Sequence, residues 1–162
     1  MGKAVREVFV SRPTVIGTGF EAAYSGFERY MRRRGLACNR LGAGNYTLDA
    51  PLKGVISLMK QCVGAIVLGY PQYEFYASIA KGGVPEESVS VSIPTPWNQI
   101  EATLAFRQRI PVLLVPHGGV SGGVFDRGVT GGFVLQCDLI HAGWYRTEAF
   151  LGVFQRWLDK LK

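Results

Sequence analysis

The chain has 162 residues, 48% hydrophobic and 19% charged, which excludes a disordered or fibrous protein and is enough for one domain with a real core. Eighteen Lys and Arg against twelve Asp and Glu leave a net charge of +6, which favours anionic partners without choosing among them. Much of that charge lies in Arg32-Arg33-Arg34 and the Lys160/Lys162 tail, read here as solvated helix ends, and no specific nucleic-acid partner is expected.

Arg6 to Ser11 ("REVFVS") is a β-branched and aromatic run, a first strand. Residues 20 to 34 carry Phe20, Ala23, Tyr24, Phe27, Tyr30 and Met31 at helical spacing and stop at Gly35, a favourable residue for a helix end. "LACNRL" is a second strand, "GAGNYTLD" a loop, and Leu48 to Gln61 a second helix. "VGAIVLGY" is almost wholly apolar, the mark of a central parallel strand buried on both faces. Residues 71 to 94 read as irregular. Thr95-Pro96 then opens a third helix, with a hydroxyl to cap free N–H groups and a proline where none is needed. A fourth strand "IPVLLVP", a glycine-rich segment 118 to 132, a fifth strand "GFVLQC" and a helix from Trp144 to Leu161 complete the chain. The alternation calls for an α/β fold: an open, mainly parallel five-stranded sheet with helices on both faces, as one domain over residues 1–162. Ligands bind such sheets at the carboxyl ends of the strands.

Several candidate sites fall on that edge. Gly17 to Ala22 satisfies G-x-G-x-x-A. Pro13 and its neighbours separate it from the first strand, however, and no carboxylate stands between Glu28 and Asp49, so it reads as a helix entry rather than a hydride-transfer site. His117 and His141 have no partners at ligand spacing, and Cys38, Cys62 and Cys137 form no C-x-x-C pair. No metal is expected, and the thiols read as reduced and buried. The Tyr70/Tyr73/Phe75/Tyr76 cluster reads as packing over the sheet edge. No signal segment precedes Val5 and no apolar run reaches spanning length, so a cytoplasmic protein with no membrane partner is expected.

The third helix raises the sharpest question. Trp97, Ile100, Glu101 and Leu104 stand at i, i+3, i+4 and i+7, the spacing of one buried face, and one of the four is a carboxylate. Glu101 either sits at the border of the stripe, where the helix dipole suits it, or is aimed into a cleft at the ligand edge.

"VFVSRP", the glycine-bearing loop after strand two, "VGAIVLGYPQY" and W-x-x-x-E in "PTPWNQIEATLA" together resemble a bacterial Toll/interleukin-receptor (TIR) domain, over about residues 6 to 118. The nucleoside deoxyribosyltransferase group is similar in sheet and in a nucleophilic glutamate on the corresponding helix. The TIR resemblance implies that Glu101 is catalytic, with substrate binding by Ser11, Arg12, Gly44, Tyr46, Trp97 and Asn98. It implies an NAD⁺ glycohydrolase with NAD⁺ as substrate and no further cofactor, active as a homo-oligomer, with a role in antiviral defence or signalling. Asn98 replaces the cysteine that often follows the tryptophan in that family, and Arg40-Leu41 replaces its acidic residue after strand two. Two other readings stand beside it: a 2-deoxyribosyltransferase-like enzyme on nucleosides or nucleotides, and a non-catalytic TIR-like module that only binds. Nicotinamide leaves as a neutral molecule from a cationic substrate, so cleavage needs one ionised carboxylate and little acid help. A neutral nucleoside needs its base protonated.

Overall fold

The computed structural model describes residues 5–42, 50–75 and 90–162. Five strands form one parallel sheet in the order β2 (Leu36–Asn39), β1 (Arg6–Ser11), β3 (Gly64–Gly69), β6 (Val112–Pro116), β7 (Phe133–Val134). Helices α1 (Thr18–Arg33) and α4 (Glu148–Leu158) pack on one face. Helices α2 (Pro51–Met59) and α3 (Pro96–Arg107) pack on the other. This is the expected fold class.

The two-residue period of the strands divides the core. Val8, Val10, Ile66, Leu68, Leu113 and Val115 face α1 and α4, where Phe27, Trp144, Phe150, Phe154 and Trp157 form a run of stacked and edge-on rings. Phe9, Ala65, Val67, Val112 and Leu114 face α2 and α3. Ser11 continues the Phe9 series, so β1 ends with a hydroxyl turned toward α3.

Several expectations change in detail. The segment predicted as irregular contributes a two-stranded antiparallel ribbon, β4 (Tyr73–Phe75) with β5 (Val91–Ile93). Its strands have three residues each, too short for a period to show. Leu48 lies outside the described residues, and the second helix starts at Pro51, with Pro in the first turn. The fifth strand pairs as a ladder only at Phe133–Val134, then runs on through single hydrogen bonds from Leu135 to Leu114 and from Cys137 to Pro116. The last helix is broken: Trp144–Arg146 is a lone 3₁₀ turn, Thr147 is extended, and its side chain caps α4 by accepting from the Phe150 N–H at 3.3 Å. Threonine's preference for a cap outweighs the apolar period there.

The buried stripe of α3 also differs from the one predicted. Asn98, Glu101, Ala102 and Ala105 face the sheet, while Trp97 and Ile100 are exposed. The spacing is right and the phase is one residue off, because two alanines let the helix lie close to the strands where bulkier residues would hold it away. Glu101 belongs to both stripes. No helix among the described residues is long and apolar enough to cross a membrane.

Candidate active site

In the strand order, β1 is flanked by β2 on one side and β3 on the other, so the chain leaves β1 in one direction and returns in the other. The crevice beyond β1 and β3 is the switch point where such sheets bind ligands. A cleft of about 470 Å³ lies there, lined by Arg12 to Val15 after β1, Leu41 after β2, Pro51 and Val55 of α2, Gln72 after β3, and Thr95, Trp97 and Glu101 at the start of α3.

Glu101 is the one carboxylate among the described lining residues, and it is only 9% exposed. Thr95 caps the helix as expected, its hydroxyl accepting from the Asn98 N–H at 3.2 Å, and the capped first turn sets where Glu101 emerges one turn on. Burial pushes its carboxyl up to about 7, against a hydrogen bond from Ser11 that pulls it down. At neutral pH the group is therefore divided between its ionised and protonated forms. Trp97, 42% exposed, stands beside it on the lining with its indole open to a ligand.

The other predicted residues take different places. Ser11 and Asn98 are fully buried and do not line the cleft. The Asn98 amide donates to Ser11 Oγ at 2.8 Å, a buried contact between α3 and the end of β1. Arg12 lines the cleft, but its side chain is 1% exposed. Both terminal nitrogens are held by Glu21, at 2.9 and 2.6 Å, with the Pro13 and Thr14 carbonyls taking further donors. The guanidinium also lies over the Tyr24 ring at 4.4 Å. A pyrophosphate would have to displace Glu21, which also occupies the first turn of α1. Gly44, Tyr46 and Tyr76 lie outside the described residues.

The sequence reading missed Glu21, although an acid in a first helical turn nine residues after an arginine was visible. Hydrogen bonds from Arg12 hold its carboxyl below the usual range. Replacing Glu21 with Ala is expected to cost about 2 kcal/mol in urea unfolding. That is less than the ~3–5 kcal/mol of a wholly buried pair, because the Glu21 side chain is 43% exposed and water takes over part of its role. His117 is a structural residue: its Nδ1 accepts from the Leu139 N–H at 3.1 Å and its ring meets Phe20 edge-on. Tyr70 is wholly buried against Phe20, while Tyr73 and Phe75 are exposed on the ribbon, so the tyrosine cluster does not act as one unit. No group of three His, Cys, Asp or Glu among the described residues is placed to hold a metal ion.

Among solved structures the chain is similar to the CMP N-glycosidase BcmB of Clostridium botulinum, with a TM-score of 0.51 at 12% identity over 92% of this chain and 99% of that one. The likeness shows the fold. No protein-family model matches the sequence, so membership of the TIR family is not established, and no curated protein matches it.

Proposed function

We propose that the protein cleaves the N-glycosidic bond of a nucleotide, with Glu101 as the reacting carboxylate. The observation that carries this is a carboxylate, the one among the described lining residues, nine-tenths buried beside an exposed indole, in a cleft of nucleotide size at the switch point of the sheet. The fold shared with a CMP N-glycosidase supports it. In this reading the ionised carboxylate attacks the anomeric carbon, and the bond to the base breaks with its electron pair leaving on the base. A neutral base takes up a proton from solvent as it leaves; nicotinamide, leaving neutral from a cationic substrate, needs none. Water then attacks the same carbon, the bond to the carboxylate breaks and the water's spare proton passes to solvent, releasing the sugar and regenerating ionised Glu101. Trp97 provides a stacking face for the base or the sugar.

Within this class our substrate proposal is NAD⁺, from the W-x-x-x-E resemblance and because a cationic leaving group suits a site with one carboxylate among its described lining residues. The alternative is a nucleoside 5′-monophosphate, favoured by the neighbour's CMP. Incubation with NAD⁺, CMP and deoxynucleosides, followed by chromatography of the products, separates the readings. Free nicotinamide is the expected product, free cytosine points to the monophosphate, and exchange of bases between deoxynucleosides points to a transferase. Release from none of them leaves a binding module. Specific activity that climbs with protein concentration would support the homo-oligomer; a flat profile would count against it.

A further inference from the structure

A second groove, of about 780 Å³, lies at the other end of the sheet from the cleft, where β1 begins and where α1 and α4 both end. Arg6 of β1, Arg32, Arg33 and Arg34 at the end of α1, and Asp159 after α4 all line it. The local chain brings them together. Gly35, in the left-handed region at φ +72°, turns α1 into β2, and the Arg6 N–H donates to its carbonyl at 2.9 Å, which stitches the start of β1 beside the arginine run. Helix-end electrostatics accounts for only part of the charge. Two of the last carbonyls of α1 already accept backbone N–H groups, Met31 from Arg34 at 2.9 Å and Arg32 from Gly35 at 3.0 Å, so backbone caps them. Each helix C-terminus carries about half a negative charge. With the Asp159 carboxylate, which accepts from Gln155 Nε2 at 2.7 Å, the groove holds about two negative charges against four guanidiniums. Among the described residues none of the four arginines is in an ion pair, and Arg6 stands on a strand, where no helix dipole calls for it. Arg34 is also held in place, its guanidinium lying over the Tyr30 ring at 4.1 Å.

We propose that this groove is a second ligand site, which binds a chain of two or three phosphates through the guanidinium forks of Arg6, Arg32, Arg33 and Arg34. A guanidinium meets a phosphate through two parallel N–H···O bonds, and a di- or triphosphate supplies the negative charge that the groove lacks. The described lining has no aromatic side chain on which a base could stack, so recognition rests on the phosphates, whether inorganic or part of a nucleotide. A nucleic-acid strand would call for such stacking faces between the cations. The arginine run is thus more than the solvated helix end expected from sequence, because β1 adds a cation that the helix does not need. The site uses no residue of the cleft and lies a strand's length from it, roughly 17–20 Å, so it stands apart from the glycosidase reading.

The test is isothermal titration calorimetry of the full chain with inorganic triphosphate at about 0.15 M salt, where diffuse surface charge is screened. Saturable one-to-one binding is expected. The double variant Arg6→Gln/Arg33→Gln is expected to weaken it about tenfold or more. Arg107→Gln/Arg127→Gln, which removes the same charge from exposed positions elsewhere, should change it by less than about twofold. Arg6→Lys/Arg33→Lys keeps the charge but loses the forks, and falls between the two. ATP forms a second arm: affinity equal to that of triphosphate assigns the site to the phosphate chain alone, and tighter binding assigns it to a nucleotide. Three results would overturn the proposal. They are no binding of triphosphate or ATP, equal weakening by both glutamine pairs, and affinity for oligothymidylate that exceeds that of triphosphate and grows with strand length. Should Arg6→Gln fail to fold, Arg32→Gln/Arg33→Gln decides in its place. No bond cleavage is measured, so the glycosidase reading stands or falls separately.

Discussion

Replacing Glu101 with Gln is expected to stabilise the protein above pH 7 by about 3 kcal/mol and to leave its stability nearly unchanged below pH 4. The folded carboxyl titrates at about 7, against an ordinary value of 4.5 in the unfolded chain, because burial disfavours its charge. Between those two values the folded state holds the proton more tightly than the unfolded state. Stability therefore falls as pH rises through that window, and at about 1.4 kcal/mol per unit the loss reaches about 3 kcal/mol once both states are ionised. Glutamine carries no charge at any pH and escapes that loss. For a chain of this size the gain corresponds to roughly 6–12 °C in Tm at pH 8. Thermal melts of wild type and variant at pH 4 and pH 8 measure it. Equal Tm differences at the two pH values would show that the carboxyl is not held in a desolvating site. A buried acid that weakens the fold at working pH is what a functional carboxylate costs, and a purely structural residue would gain nothing from that cost.

The sheet and its helices were legible because parallel strands buried on both faces leave long apolar runs, as in β3 and β6, and because Thr95-Pro96 marks the start of α3 by capping chemistry alone. Three things were not legible, each for a physical reason. The phase of α3 was hidden because its sheet-facing alanines carry little hydrophobic signal, while the exposed Trp97 and Ile100 carry a great deal. The break at Thr147 was hidden because a residue that caps a helix also fits inside an amphipathic pattern. The pairing of Arg12 with Glu21 was hidden because an arginine beside a glycine-rich helix start looks the same whether it awaits a phosphate or is already satisfied. Glu101 could be found from sequence since it falls on the buried face in either phase. Ser11 and Asn98 could be named but not placed. Whether a small polar residue touches ligand or lies one layer beneath depends on the strand's two-residue alternation and on how closely α3 approaches, and that approach is decided by Ala102 and Ala105.

The second large effect is on catalysis. With Glu101 the one carboxylate among the described residues lining the cleft, kcat/KM is expected to rise about tenfold per pH unit on the acid side, bend near pH 7 and level off above it, as Glu101 passes to its ionised form. Glu101→Gln should remove this activity at every pH, by about 10³-fold or more, since an amide neither attacks the anomeric carbon nor balances positive charge building on the sugar. Glu101→Asp keeps the charge but draws the carboxylate back by about one methylene, and a displacement of about 1 Å at the reacting atoms is expected to cost about 10²-fold. The ordering Glu, then Asp, then Gln separates a reacting carboxylate from one that merely supports the helix start, for which Asp and Gln would both be tolerated. Rates of product formation for the three proteins, measured from pH 5 to 9 on whichever nucleotide the chain cleaves, give the answer. A Gln variant within tenfold of wild type would take Glu101 out of the mechanism. A profile that is flat through pH 7 would mean that another group, or a step other than attack on the sugar, limits the rate. The stability and activity experiments use the same variant and have opposite expected signs, so a misfolded protein cannot imitate both outcomes: loss of activity must come with a higher melting temperature at pH 8.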